Sequence, residues 1–231
     1  MRRLSLCLTA LVFISGFIFA PPASAQQSVN VFVGGFRPRT EVSSSDVLAR
    51  NSDFLDFDIR DFNGATIGAE WLVGLGDWFD AGIGASFYQR TAPAVYFDYV
   101  NANGTEIEQD LKLRIVPVTA TMRFLPLGHR GLVRPYIGAG VGIFSWRYSE
   151  SGQFVDFDNH NTIFPGTFVG SGTTTGPVVL GGLTFPIGKL DVGGEVRYQR
   201  AKGNLPASEG FGGSTIDLGG VNYLFVVNFR F

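Results

Sequence analysis

From Gln26 onward the chain alternates apolar and polar positions with a period of two, broken at intervals by Gly, Pro, Asn and Asp. This pattern predicts β-strands over 28–38, 63–73, 78–90, 110–125, 134–148, 176–187, 189–201 and 218–231. The seventh segment shows the facing best. Leu190, Val192, Gly194, Val196 and Tyr198 fall on one side, and Asp191, Gly193, Glu195, Arg197 and Gln199 on the other. In the second, Ala65, Ile67, Ala69 and Trp71 oppose Thr66, Gly68 and Glu70. In the third, Phe79, Ala81, Ile83, Ala85 and Phe87 oppose Asp80, Gly82, Gly84, Ser86, Tyr88 and Arg90. The last segment puts Val221, Tyr223, Phe225, Val227, Phe229 and Phe231 on a single face.

The connections alternate in length. Short ones fall at 74–77, 126–133 and near Gly188-Lys189; long ones span 39–62, 91–109, 149–175 and 202–217. Short turns at one end and long loops at the other fit a transmembrane barrel with both termini on the short-turn side. No stretch after Ala25 is long and apolar enough for a membrane helix, so a chain that crosses a bilayer must close into a barrel. The expected fold is therefore all-β: an eight-stranded antiparallel up-and-down transmembrane barrel, apolar outside and polar inside. A dry-lumen soluble barrel would carry the opposite facing.

The fourth segment breaks phase. Lys112 and Arg114 share one parity, while Thr119, Thr121 and Arg123 share the other, with Pro117 between them. A bulge at Pro117 would put all five inside. In the fifth, Gly138, Gly140 and Gly142 face inward and leave room for long side chains from neighbouring strands. Segments one and six are ambiguous. Trp71, Trp78, Tyr136 and Tyr223 near the short turns, and Tyr88, Trp146, Tyr148 and Tyr198 near the long loops, are candidate interfacial girdles.

Residues 1–25 read as a cleaved secretory signal: Arg2-Arg3, an apolar run, then Ala23-Ser24-Ala25. Residues 26–231 form one barrel domain. The single cysteine, Cys7, leaves with the signal, so disulfides play no part. A formal charge of -2 argues against a nucleic-acid partner.

The inward charged set is Glu70, Asp80, Arg90, Lys112, Arg114, Arg123, Asp191, Glu195, Arg197 and Arg230. An eight-stranded lumen is just wide enough for side chains to fill it. Opposite charges there should pair into a plug, because an unpaired buried charge is costly. A narrow polar conduit is the other use of the same residues. No cofactor, metal or catalytic residue is expected. The only histidines are His129, in a short turn, and His160, which shares a long loop with Ser149 and Ser151 but shows no catalytic spacing. The acidic runs Asp53, Asp56, Asp58, Asp61 and Asp156, Asp158, His160 are expected to be solvated, with a bridging divalent cation as the alternative. Alternation over 57–61 suggests that the second strand continues outward as a hairpin.

Three stretches carry a resemblance. Arg134-Pro135-Tyr136-Ile137-Gly138-Ala139-Gly140-Val141-Gly142 resembles the fifth strand, and Val116 to Phe124 the fourth, of small bacterial outer-membrane β-barrels. That superfamily includes the OmpA transmembrane domain, the opacity proteins and the OmpW-like proteins. The C-terminal strand ending in Phe231 is similar to their terminal assembly signal, with Tyr223, Phe225, Phe229 and Phe231 as its apolar positions. The resemblance implies a monomer in the Gram-negative outer membrane, among lipid and lipopolysaccharide, inserted by the barrel-assembly machinery. It implies envelope-structural or adhesion-like work through the loops, possible contact with an extracellular ligand, or an OmpW-like narrow channel. A lipid-modifying enzyme is the remaining alternative.

Overall fold

A computed structural model describes residues 26–39, 43, 45–157, 159 and 162–231. The signal segment 1–25, Asp158 and His160 lie outside the described residues. The chain forms β1 (Gln27–Pro38), β2 (Gly64–Leu75), β3 (Phe79–Val100), β4 (Glu106–Phe124), β5 (Arg134–Asp156), β6 (Thr162–Ile187), β7 (Leu190–Gln199) and β8 (Gly220–Arg230). Each strand pairs antiparallel with the next. β8 returns to β1, with Ser28 opposite Arg230 and Pro38 opposite Gly220, so a ring of eight strands closes. Closure leaves no unpaired edge, the condition for strands in hydrocarbon. Gly76 and Gly188, at φ 74° and 66°, make the two tight turns at one end, where a left-handed backbone favours glycine.

The lower part of every strand faces apolar side chains outward. β4 presents Val116, Val118, Ala120, Met122 and Phe124, and β5 presents Ile137, Ala139, Val141 and Ile143. Ile137 and Val141 are each 64% exposed, an untenable state in water for so continuous a band. The band is about nine residues tall, the height a tilted strand needs to cross hydrocarbon. β1 adds Val29, Val31 and Val33, and β6 adds Val179, Leu183, Phe185 and Ile187, which settles the two ambiguous facings.

Above the band the facing keeps its parity, but the chemistry inverts. On β4 the outward residues become Arg114, Lys112, Asp110, Glu108 and Glu106, and the inward ones Ile115, Leu113, Leu111 and Ile107. Tyr88, Phe144, Trp146 and Tyr148 join them in a buried core. Helix α1 (Val47–Asn51) seals its top, together with Phe62, Ile216 and Leu218. Asp46 caps α1, its Oδ1 accepting from the Leu48 and Ala49 N–H at 3.0 and 3.2 Å. Its other oxygen accepts from the Asp217 N–H at 2.7 Å and ties this helix to the last outer hairpin. Outside the membrane the barrel is thus built like a soluble protein.

This inversion corrects several expectations. There is no bulge at Pro117. Ala85 faces Val118 and Tyr88 faces Ile115, three residues apart on both strands, so nothing is inserted; Pro117 costs only a gap in the ladder. Lys112 and Arg114 therefore point outward. Arg90 is exposed, its Nε donating to the Asp61 carbonyl at 2.9 Å, and joins no lumen cluster. The stretches 91–109 and 149–175 are mostly strand, since β3 to β6 run on as two long hairpins. Residues 59–62 form a 3-10 turn rather than a strand, because Asp58 and Asp61 cap it reciprocally. Of the eight candidate girdle aromatics, Trp71 and Tyr223 are exposed on the outer wall, Tyr198 is half-buried there, and Trp78 is exposed in the short turn before β3. Tyr88, Tyr136, Trp146 and Tyr148 have inward parity and are buried.

Phe144 has no exposed surface and lies at the floor of the upper core. Phe144→Ala should lower stability by about 3–5 kcal/mol. Urea unfolding in lipid vesicles, followed by tryptophan fluorescence, measures the loss.

Candidate functional site

Alternation on β2, β4 and β7 aims four charged side chains at one level of the lumen. Glu70 Oε2 accepts from Arg197 Nη2 at 3.1 Å and pairs closely with Arg123 Nη2. Glu195 accepts from Arg197 Nε at 2.8 Å and lies in an ion pair with Arg123 Nη2 at 3.1 Å. Two cations and two anions thus alternate around a closed circuit. Thr121 Oγ1 donates to Glu70 at 2.6 Å, and the Tyr136 hydroxyl donates to Glu195 at 2.9 Å. The Arg123 guanidinium lies 4.7 Å over the Tyr136 ring, and that of Arg197 5.1 Å over Phe32. All four charged side chains are buried. Room for them comes from glycine: a Cβ on Gly82 would lie 2.6 Å from Glu70 Oε1.

A second cluster lies toward the short turns. Arg134 Nη1 forks onto both oxygens of Asp191, at 2.9 and 3.0 Å, and Arg230 Nη2 reaches the same carboxylate at 3.0 Å. His129 Nε2 lies 2.8 Å from Asp80 Oδ1. That hydrogen bond holds the imidazole pKa above its ordinary value, outweighing burial. A small cavity of ≈ 30 Å³ lies among these groups. The Asn30 side chain and the Nε atoms of Arg123, Arg134 and Arg230 have no hydrogen-bond partner among the described residues and supply polar walls for it. Such a space suits one or two water molecules.

The structure therefore brings Glu70, Arg123, Glu195 and Arg197 together, with Asp80, Asp191 and Arg230 one level below. Arg90, Lys112 and Arg114 are not in the lumen. Arg134, Tyr136 and His129 belong to these clusters and were missing from the expected lumen set. Tyr136 shares the parity of Gly138, which was the signal for it. Tyr223, Phe225, Phe229 and Phe231 all lie exposed on the outer wall of β8 and the residue beyond it.

At the opposite end, the outer hairpins enclose a cleft of ≈ 570 Å³, walled by Phe54, Tyr96, Phe154, Phe157, Phe164 and Phe168. Its volume falls in the range of ligand pockets. Gln109 Nε2 donates to the Tyr96 hydroxyl at 2.9 Å, and Asn51 Nδ2 to Glu150 Oε1 at 2.6 Å. Burial holds the Glu150 pKa above the usual carboxylate value. The loop acids do other work nearby. Asp53 pairs with Arg50 at 3.2 Å, and Asp58 caps its turn. Among the described residues no group of three or more His, Cys, Asp or Glu side chains gathers as a metal site.

Glu70→Gln should cost about 3–5 kcal/mol, because two buried arginines lose a shared counter-charge. Urea unfolding of the refolded barrel measures it. The His129–Asp80 pair contributes stability that is fully present below pH ~6.5 and lost as pH rises through the raised folded value. His129→Ala should abolish that slope in the urea midpoint plotted against pH.

No protein-family model matches the chain, and no curated protein matches it in sequence. Solved structures do match. The outer membrane protein OprG from Pseudomonas aeruginosa superposes with a TM-score of 0.52 at 13% identity, over 90% of this chain and 96% of that one. Neisserial surface protein A, NspA, superposes with a TM-score of 0.48 at 12% identity, over 89% and 97%. The E. coli outer membrane protein W gives 0.44 at 13%, over 90% and 98%. At such identities the likeness to OprG speaks for the fold alone, a closed ring of eight antiparallel β-strands.

Proposed function

We propose that this chain is an integral outer-membrane protein that works as a closed scaffold, presenting its extracellular hairpins to the surroundings. One observation carries this reading: the lumen is filled twice over. The ionic circuit of Glu70, Arg123, Glu195 and Arg197 occupies the level of the membrane. The apolar core of Leu111, Leu113, Phe144, Trp146 and Tyr148 fills the space above it. A solute crossing this barrel would have to break a buried ion network and then part a packed core. Both are costly.

With the axis blocked, the exposed chemistry lies on the hairpins. The aromatic cleft between them is the surface we assign to contact with an extracellular ligand, in envelope-structural or adhesion-like work. No catalytic step is part of this reading. On the same reading, the outer face of β8, with Tyr223, Phe225, Phe229 and Phe231, is what the barrel-assembly machinery engages. The protein acts among outer-membrane lipid and lipopolysaccharide as a monomer.

Planar-bilayer recording tests the scaffold reading. The wild-type protein should give no stepwise current at moderate voltage. Reproducible single-channel steps whose size or ion selectivity changes in Glu195→Gln would overturn it in favour of a narrow channel.

A further inference from the structure

Lys112, Arg114 and Arg147 form a cationic cluster on the outer wall of the barrel. They lie in the first two rows above the lipid-facing band. Val116 stands opposite Ser145; Gln89, Arg114 and Arg147 make the next row across β3, β4 and β5; Thr91, Lys112 and Ser149 follow. All three cations are exposed, and none makes an ion pair or hydrogen bond among the described residues. Arg114 and Arg147 stand directly opposite each other across the ladder. Like charges in that position destabilise a sheet, so the protein alone gives no reason to hold them there. Together with Gln89 and Ser149, the three line a depression of ≈ 180 Å³. Farther out on the same face of β4 come Asp110, Glu108 and Glu106. One face of one strand thus reads apolar, then basic, then acidic, away from the membrane.

We propose that Lys112, Arg114 and Arg147 bind the phosphate groups of phosphorylated lipid in the outer leaflet, as a site on the barrel wall. The geometry supplies each requirement. Val116 and Ile143 lie in the acyl region, so residues one or two rows higher stand at headgroup depth, where a charge on the lipid-facing wall costs little. Arg114 and Arg147, side by side, present two planar forks to one tetrahedral anion, the geometry in which guanidinium and phosphate bond best. Lys112 adds a point charge, and Gln89 and Ser149 offer neutral donors at the edge. A bound phosphate also removes the repulsion between the two arginines. The acids above would repel a phosphate seated higher, which fixes the depth of the site. This site rests on the chain being a transmembrane barrel; whether the lumen conducts does not enter it.

The test uses the full barrel refolded into phosphatidylcholine nanodiscs, with folding checked by heat-modifiable gel mobility. Failure to fold there would sink the transmembrane reading itself, and is thereby distinguished from failure of the lipid site. Native mass spectrometry then compares retention of bis-phosphorylated lipid A with that of the same lipid after enzymatic dephosphorylation. Wild-type protein should prefer the phosphorylated form by about tenfold at low salt, as three exposed charge contacts of modest strength supply, and lose most of that preference in concentrated salt. Arg114→Gln/Arg147→Gln should abolish the preference, while Arg37→Gln, on another part of the wall, should keep it. Equal retention of both lipids by wild type, or an undiminished preference in the double variant, overturns the site. So does displacement of the lipid by millimolar inorganic phosphate, which would mark a free-anion site. If the double variant does not fold, Arg147→Gln alone decides: a several-fold loss supports the site, and no change overturns it.

Discussion

One unbroken β register crosses two solvents, and most of this structure follows from that constraint. Antiparallel pairing fixes which residues face out, and no insertion in β4 or β5 resets it between the membrane and the exterior. The outward face meets acyl chains at Met122 and water at Lys112, five rows apart on the same side of β4. Only the sequence can accommodate the change, so the apolar residues switch sides. Below the boundary the lumen must be polar; above it, the lumen becomes a core. Hydrogen bonding of the strands is the same throughout, while the burial that holds the two halves differs in kind.

The two fillings answer to different energetics. In the membrane the lumen receives charges that lipid would reject, and they are tolerable because each carboxylate is shared by two guanidinium groups and also accepts a hydroxyl. Such circuits contribute less to net stability than well-packed apolar side chains would, but they resist rearrangement, because removing any member strands its partners. The extracellular half behaves like an ordinary soluble core. It is roofed by α1, whose two buried apolar residues Val47 and Leu48 belong to the same core cluster as the aromatics. A helix this short has little stability of its own; packing and the Asp46 cap hold it in place.

Strand number, order and the facing of the membrane segments were legible in the amino-acid pattern, because apolar-out alternation is strong where lipid is the solvent. Glu70, Arg123, Glu195 and Arg197 could be found from parity alone. What could not be found depends on knowing where the membrane stops. At Lys112 and Arg114 the rule of charges inside was applied above the boundary, where its sign reverses, and a bulge at Pro117 was the device that reconciled the two halves. The alternative, that Leu111, Leu113 and Ile115 are inward, needs no insertion and was in the sequence all along. The outer hairpins were hidden for another reason. Residues 162–175 are rich in Gly, Thr and Phe with little contrast between faces, so periodicity is weak there even though every residue is paired with β5. Tyr136 was mistaken for a girdle residue because its ring type suggested an interface, although its parity placed it in the lumen.

The same reversal explains why the outer wall carries unpaired charge at all. In the lumen every cation has an acid within reach, since burial without one is prohibitive. On the wall above the band, solvent lifts that requirement, and a cation can be kept for what it meets outside the protein. Arg114 and Arg134 make the contrast within one barrel. Arg134 is buried and forked onto Asp191, so its partner is fixed by the fold. Arg114 is exposed, opposed by another arginine, and supplied with no acid on its own or the adjoining strands at that level. Two arginines in one chain thus report two environments. The first shows where the fold had to neutralise a charge, and the second where it left that task to the surroundings.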